Sequence, residues 1–339
     1  MGHILNDKQI DFKNYSYLYV STTAKHDTPM LRLPDRKIAT ERSLNYIITD
    51  ESTAIDFFHR VDGEIPTIVV DCELKQKIDL YAIARKHIKK SDIYTNKPND
   101  IAVESADILL QHHFTGALVG KKILIIGTGN IAFKVALRLA ERSAQVFIDG
   151  RNAKKVEQVV DTINMVIPAY SKYDVQKMDV NTFDGQLDAV IPFISAEKVI
   201  EDTYTKWLHS SSISIDGGIG NFSENYIAAA LAKNTKIIRL DVRIAMPYME
   251  TSLTSLLPTF DFFERVSGEK EIEGITIVAG GIIGKEGSVI VDQIEHPHQI
   301  IGIANGYGGV KNESALSIEE RRSIELLRER FLQSYQKSI

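Results

Sequence analysis

Residues 121–152, KKILIIGTGNIAFKVALRLAERSAQVFIDGRN, carry the pattern that decides the fold. A continuous apolar run at 123–126 leads into a glycine-rich turn at 127–132. An amphipathic stretch follows, with Val135, Ala136, Leu139 and Ala140 on one stripe, and a second apolar run, 146–148, comes after it. This order predicts a strand, a tight turn, a helix and a second strand.

The turn GTGNIA at 127–132 is typical of a loop that binds the pyrophosphate of a dinucleotide. Gly127 allows a sharp turn, Gly129 allows the backbone to approach a phosphate, and Ala132 keeps the helix close to the sheet. The helix N-terminus adds unpaired amide groups and the positive end of a dipole. The alternative is a glycine turn that serves packing only. The pattern predicts that the cofactor contacts Gly127, Thr128, Gly129, Asn130, Ile131 and Ala132.

The residues after the second strand indicate which dinucleotide is bound. An acid there usually accepts from the ribose 2′-hydroxyl of NAD, whereas a small residue followed by arginine accommodates the 2′-phosphate of NADP. With a strand at 146–148, Gly150, Arg151 and Asn152 occupy the deciding positions, and NADP is favoured. If the strand ends sooner, Asp149 becomes the deciding acid and NAD is the alternative.

Composition excludes several classes of function. The chain has 339 residues, a net charge of −5 and 44% hydrophobic residues, so neither nucleic acid nor an anionic membrane is expected as a partner. No apolar run is long enough to span a bilayer, and the polar N-terminus does not resemble a signal peptide. The single cysteine, Cys72, excludes an internal disulfide and a cysteine-rich zinc site. We therefore expect a cytoplasmic protein with no metal centre.

Strands that alternate with helices predict the α/β fold class with two domains. We expect a flavodoxin-like α/β domain at residues 1–100 and a Rossmann domain with a doubly wound parallel sheet at 101–311. A helical pattern at 99–115 connects the two domains, and the active site is expected in the cleft between them. The C-terminal segment, 312–339, is expected to complete the first domain.

Several segments, in the same order along the chain, resemble the D-2-hydroxyacid dehydrogenases. They are Ile78–Ala84, Thr95–Pro98, Ala102–Glu104, Leu118–Lys122, Ser214–Glu224 and Leu240–Val242. The resemblance implies two α/β domains, hydride transfer at C2 of a hydroxy or oxo acid, and a homodimer.

The catalytic residues of that family are only partly matched. Gly218 stands where its arginine is expected, and Met246 stands where its glutamate is expected. His298 is the candidate for its histidine, a proton donor near neutral pH. Arg243 could replace the missing arginine as a carboxylate clamp, or it could form an ion pair with an aspartate such as Asp216 or Asp241.

Other segments resemble the alanine and saccharopine dehydrogenases, notably Met246–Leu257. That resemblance implies carboxylate-binding cations in the loop after the first strand, where Lys25 and Arg32 stand. Lys75 follows another strand at the carboxyl edge of the sheet, where open α/β sheets bind ligands. The candidate catalytic residues are therefore His298, Lys75, Arg32, Lys25 and Arg243.

Two further strand ends are expected to border the cofactor. Asp216-Gly217 begins a glycine-rich turn where the nicotinamide normally lies, and Pro192 ends the preceding strand. Together these residues predict an NADP-dependent oxidoreductase that acts at C2 of a small 2-oxo acid. The alternatives are an amino-acid or imine dehydrogenase of the alanine or saccharopine type, and a protein that binds NADP without turnover.

Overall fold

The computed structural model describes residues 10–23, 28–38, 40–74, 77–257 and 262–337, with side chains described as far as residue 332. The chain divides into two compact units, Met1–Leu253 and Thr254–Ile339. The first unit contains two lobes, each built on its own sheet. In the described part of the chain, no helix has the length and apolar character needed to cross a membrane.

The N-terminal lobe is a five-stranded sheet with helices between its strands. Its elements are β1 (Tyr17–Ser21), β2 (Met30–Ile38), β3 (Glu41–Ile48), α1 (Glu51–Val61), β4 (Thr67–Asp71), α2 (Leu80–His87) and β5 (Asp92–Asn96). The spatial order is β2-β3-β1-β4-β5, and only β2 is antiparallel to its neighbour. The four parallel strands begin the flavodoxin-like order, and β2 is an added edge strand.

Helix α3 (Pro98–His113) connects the lobes, as the apolar spacing at 99–115 predicts. The Rossmann lobe follows. Its elements are β6 (Lys122–Ile126), α4 (Asn130–Glu141), β7 (Gln145–Asp149), α5 (Ala153–Val166), β8 (Gln176–Lys177), β9 (Leu187–Pro192), β10 (Leu208–Asp216), α6 (Glu224–Ala232), β11 (Lys236–Arg239) and α7 (Met246–Thr254).

The Rossmann sheet has the order β11-β10-β9-β6-β7-β8, and its strands are parallel. This is the doubly wound order. From β6 to β8 each new strand is added toward one edge of the sheet, and from β9 onward each is added toward the opposite edge. The apolar run of β6 is continuous because Ile123 and Ile125 pack against one core while Leu124 and Ile126 pack against the other. The predicted α/β class and Rossmann sheet are confirmed.

The second unit corrects the predicted domain boundaries. It contains β12 (Gly268–Ile272), β13 (Ile275–Ala279), β14 (Val289–Val291), β15 (Ile300–Ile303) and α8 (Ile318–Lys337). Leu327 and Phe331 of α8 are buried in one core with β13, β14 and β15. The expectation that 312–339 completes the N-terminal domain is therefore wrong, because α8 covers the sheet of its own unit. The described residues of 254–311 likewise do not extend the Rossmann sheet, which ends with β11.

Candidate nucleotide-binding site

The turn between β6 and α4 has the geometry that its glycines predict. Gly127 adopts a positive φ of 135°, and a Cβ atom there would lie 2.6 Å from the carbonyl oxygen of Phe193. Ala132 is buried beside it, and its Cβ would lie 3.5 Å from the same added atom. Both positions therefore require small residues because strand, helix and neighbouring loop approach closely here.

Gly129 serves a different purpose from Gly127. A Cβ atom at Gly129 would meet nothing within 4 Å, so the space beside it is open. Gly129 is also the N-cap of α4 and offers no side chain to its first amide groups. Those amides, together with the helix dipole, favour an anion at this point. The open turn thus fits a pyrophosphate.

A cavity of about 910 Å³ extends from this turn along the carboxyl ends of β6, β7 and β9. Half of the predicted cofactor-binding residues line it: Gly127, Thr128, Gly129, Gly150, Arg151 and Asn152. Asn130 and Ile131 lie in the first turn of α4 behind the opening, and Ala132 contributes to packing. Pro192, Asp216 and Gly217 are not among the residues that line this cavity.

Two cations stand at the end of the cavity beyond β7. Arg151 and Lys155 line it, both are exposed, and neither has an ion-pair partner within the described ranges. Asn152 between them caps α5 by accepting a hydrogen bond from the Lys155 amide at 3.1 Å. The cap fixes the turn that carries both cations, which suits the recognition of an added phosphate.

Asp149, the acid that could favour NAD, is the last residue of β7 and also lines the cavity. Its Oδ2 accepts a hydrogen bond from the Tyr204 hydroxyl at 2.6 Å, and its Oδ1 accepts one from the Gly150 amide at 2.7 Å. Burial and the Asp149 carboxylate raise the pKa of Tyr204, so the phenol remains a donor across the physiological range. Both carboxylate oxygens thus already have protein donors.

In the glycine turn after β10, other protein atoms occupy the space where side chains at Gly217 and Gly218 would lie. A Cβ atom at Gly217 would lie 2.3 Å from the Phe193 ring, and one at Gly218 would lie 2.2 Å from Asn221 Oδ1. The Asp216 carboxylate accepts hydrogen bonds from the Gly220 and Asn221 amides and so closes its own turn. These glycines are needed for packing. Gly218 also has no room for the side chain of the arginine that the hydroxyacid family places there.

Asn221 joins this turn to the loop that borders the cavity. Its side-chain amide donates to the carbonyl oxygens of Ile194 at 2.9 Å and Ala196 at 2.8 Å, and Asn221 is fully buried. The loop 193–196 is thereby held at the cavity wall. Nothing in the local sequence identifies this role, because its partners lie on a different strand end.

The structure gives the candidate catalytic cations different environments. Lys25 and Lys75 lie outside the described residues. Arg32 on β2 forms an ion pair with Asp35 at 2.8 Å, and Asp35 also accepts from Tyr15 and Arg42. The Arg32 guanidinium is thus held in a local network of the N-terminal lobe.

Arg243 forms an ion pair with Asp241, which is the alternative that the sequence leaves open. The hydrogen bonds from Arg243 lower the pKa of Asp241 to about 2. His298 belongs to the second unit, where its Nδ1 lies 2.8 Å from Gln293 Nε2 and 3.6 Å from Asp292 Oδ2. Its role as proton donor stays a prediction.

Arg36 is a cation that the sequence analysis missed. It lies on β2 four residues after Arg32, beyond an irregularity in the pairing with β3, and its Nη1 is 3.6 Å from the Met246 sulfur of α7. Arg36 forms no direct ion pair in the part of the chain that the structure describes, although the charge of the Asp241 carboxylate raises its pKa against the effect of burial. On β1, which β3 separates from β2, the Tyr19 hydroxyl lies close enough to feel the charge of Arg36 and is buried without a hydrogen-bond partner among the described residues. Arg36 and Tyr19 therefore lie where the N-terminal lobe meets α7.

Residues 109–205 match the family model described as Shikimate / quinate 5-dehydrogenase. An uncharacterized oxidoreductase of Schizosaccharomyces pombe is 33% identical over 82 residues, which is 24% of each chain. The chain thus spans about a quarter of the length of this curated relative. The matched residues include the open turn at Gly129 and the strand end at Arg151, which line the cavity. The family model does not confirm the finer resemblance to D-2-hydroxyacid dehydrogenases.

Solved structures with a related arrangement include a shikimate dehydrogenase in complex with NADP+, at a TM-score of 0.45 and 16% identity over 74% of this chain and 93% of that one. The 5-ketofructose reductase of Gluconobacter sp. strain CHM43 gives a TM-score of 0.41 at 16% identity over 71% and 92% of the two chains.

Proposed function

We propose that this chain is an NADP-dependent oxidoreductase that acts at C2 of a small 2-oxo acid, or of the imine formed from one. The observation that carries the proposal is the cavity that joins the open turn at Gly129 to Arg151 and Lys155, two cations that form no ion pair with any described residue. The turn would hold the pyrophosphate, and the cations would hold the 2′-phosphate. When bound, NADP would supply the hydride.

The Asp149 carboxylate supports NADP over NAD within this proposal. An acid that selects NAD must present a carboxylate oxygen to the ribose. Here the two oxygens are oriented by Tyr204 and Gly150, whereas the guanidinium of Arg151 has no partner in the described chain. The positive charge available at this end of the cavity thus favours the phosphorylated nucleotide.

Arg36 supports a substrate that carries a carboxylate. A partly buried guanidinium without an anionic partner is unfavourable, and an anion from outside the chain would relieve that cost. Burial lowers the pKa of Arg36, but an arginine stays charged at neutral pH. Arg32 and Arg243 already hold aspartates, so Arg36 is the better candidate for the carboxylate-binding residue.

Oxidation of NADPH, followed by absorbance with a panel of 2-oxo acids, tests this function. Each acid is offered with and without ammonium, because a requirement for ammonium would favour the amino-acid dehydrogenase alternative. Arg36→Met is expected to lower kcat/KM by about tenfold to a hundredfold, since it removes a charge-assisted hydrogen bond.

Lys37→Met is the matched control for Arg36→Met, because Lys37 is the next residue of β2 and is exposed. It should leave kcat/KM within a factor of two. Binding of NADP+ without turnover of any acid in the panel would contradict the proposal and favour a protein that binds NADP without catalysis. The homodimer implied by the resemblance also stays a prediction, which light scattering on the purified protein would test.

A further inference from the structure

Tyr204 contacts Asp149, the one acidic side chain among the described residues that line the cavity at the carboxyl ends of β6, β7 and β9. It lies in a short 3-10 helix, Asp202–Trp207, between β9 and β10, and its ring is tilted against that of the buried Trp207 at 6.3 Å between centroids. Tyr204 and Asp149 are 55 residues apart in sequence, yet the phenol oxygen lies 2.6 Å from Asp149 Oδ2. Both residues line the same cavity.

The hydrogen bond from Tyr204 fixes the direction of the Asp149 carboxylate. Oδ1 is held by the Gly150 amide and Oδ2 by the phenol, so rotation of the carboxylate would break one of two short bonds. Each oxygen keeps a second lone pair, but the two bonds set where it points. Bonds to a charged acceptor are the stronger kind, which makes this orientation hard to change.

We propose that Tyr204 sets the nucleotide preference of this site by holding the Asp149 carboxylate away from the adenosine ribose. The inference rests on the proposed NADP binding and adds a positioning residue to it. With the acid held, the 2′-hydroxyl of NAD gains no acceptor, and Arg151 and Lys155 decide the preference. Without the phenol, the carboxylate is free to accept from NAD and to repel the 2′-phosphate of NADP.

Calorimetric titration of Tyr204→Phe with NADP+ and NAD+ tests this inference. The ratio of the two dissociation constants should shift toward NAD+ by about tenfold, as expected for a hydrogen bond to a charged group. Tyr226→Phe is the matched control. Tyr226 is another buried phenol of the Rossmann lobe, its hydroxyl lies 2.8 Å from that of Ser214, and it does not line the cavity. Its substitution should leave the ratio unchanged.

A double-mutant cycle with Asp149→Asn separates orientation from general damage. The effect of Tyr204→Phe on the ratio should disappear in the Asp149→Asn background, because the charge that the phenol restrains is gone. The inference would be overturned if Tyr204→Phe weakened the binding of both nucleotides equally. It would also be overturned if Tyr204→Phe shifted the ratio of the two dissociation constants equally in the wild-type and Asp149→Asn proteins.

Asp149→Asn alone keeps the inference testable if Tyr204→Phe does not fold. Its affinity for NAD+ should equal that of the wild type, since the held carboxylate points away from the ribose and accepts no hydrogen bond from it. A tenfold loss of NAD+ affinity would show that Asp149 already binds the ribose and would overturn the inference. Failure of the wild-type protein to bind either nucleotide would instead contradict the proposed function, so the two failures are distinguishable.

Discussion

Two glycine-rich turns follow strands of the same Rossmann sheet, and they use their glycines in opposite ways. At Gly129 the space that a side chain would occupy is open, and the helix behind it lacks a side-chain cap. At Gly217 and Gly218 that space is filled by Phe193 and Asn221. A glycine after a strand therefore marks a close approach, but only the structure shows whether the approaching group is a ligand or the protein itself.

The largest expected effect on stability comes from a substitution in the glycine turn after β10, where the protein itself fills the space beside the glycines. Gly218→Ala would place a methyl group 2.2 Å from Asn221 Oδ1 and 2.3 Å from the Ile194 carbonyl oxygen. Overpacking of this kind should lower the free energy of unfolding by about 3 kcal/mol. Urea denaturation followed by circular dichroism measures the loss. An unfolding free energy equal to that of the wild type would show that the turn has room to spare.

Asn221→Ala tests what fills that turn. It removes both donors to the loop 193–196 and leaves the partly buried carbonyl oxygens of Ile194 and Ala196 without them. Urea denaturation should show a loss of about 2 kcal/mol. The control is Asn312→Ala, because Asn312 is exposed and its side chain makes no cap hydrogen bond. Equal stability of the two variants would contradict the role given to Asn221.

Gly129→Ala tests the other turn, where the space beside the glycine is open. Its methyl group meets no protein atom within 4 Å, so the unfolding free energy should change by only about 0.5 kcal/mol. The same methyl group would enter the space assigned to the pyrophosphate, and NADP+ affinity should fall at least tenfold, or about 1.4 kcal/mol. Calorimetry and urea denaturation on the same preparation measure the two quantities. Unchanged affinity would mean that the open space does not hold the phosphates.

The smallest expected effect on stability concerns the ion pair between Asp241 and Arg243. This pair follows β11 next to the glycine turn after β10, because the Leu240 amide donates to the Asp216 carbonyl oxygen there. Arg243 lowers the pKa of the adjacent Asp241 to about 2, so the pair stabilises the folded state above pH 3.8. That contribution should disappear as the pH falls from 3.8 to 2. Because the pair is exposed, Asp241→Asn should cost about 0.2–1 kcal/mol at pH 7. A stability difference that persists unchanged at pH 2 would contradict this assignment.

The sequence predicts the fold where the pattern is local and periodic. The apolar runs of β6 and β7 and the helix between them lie where expected, and β7 ends one residue later than the run at 146–148. Strand β2 is missed because Pro34 and several charged residues break its alternation, and its pairing is irregular at that point. Strands β12, β13 and β15 of the second unit are missed because runs of four or five residues are too short for their periodicity to distinguish a strand from other structure.

For the candidate site too, the sequence identifies the residues that a local pattern marks and misses those whose partners are distant in sequence. The glycine turn after β6 and Arg151 both line the cavity, and the sequence identifies them because the pattern that marks each lies within a few residues. Tyr204 and Asn221 are missed because their partners are 55 and 27 residues away in sequence. Arg36 is missed in favour of Arg32 because only the folded chain shows that Asp35 pairs with Arg32 and that Arg36 forms no ion pair among the described side chains.

Calorimetric titration of the wild-type protein with NADP+ and NAD+ tests the central claim most directly, with Arg151→Met as the companion variant. The account predicts saturable binding of NADP+ that is tighter than that of NAD+, and a loss of this preference in Arg151→Met. Absence of binding heat with both nucleotides, confirmed by unchanged thermal stability in their presence, would contradict it.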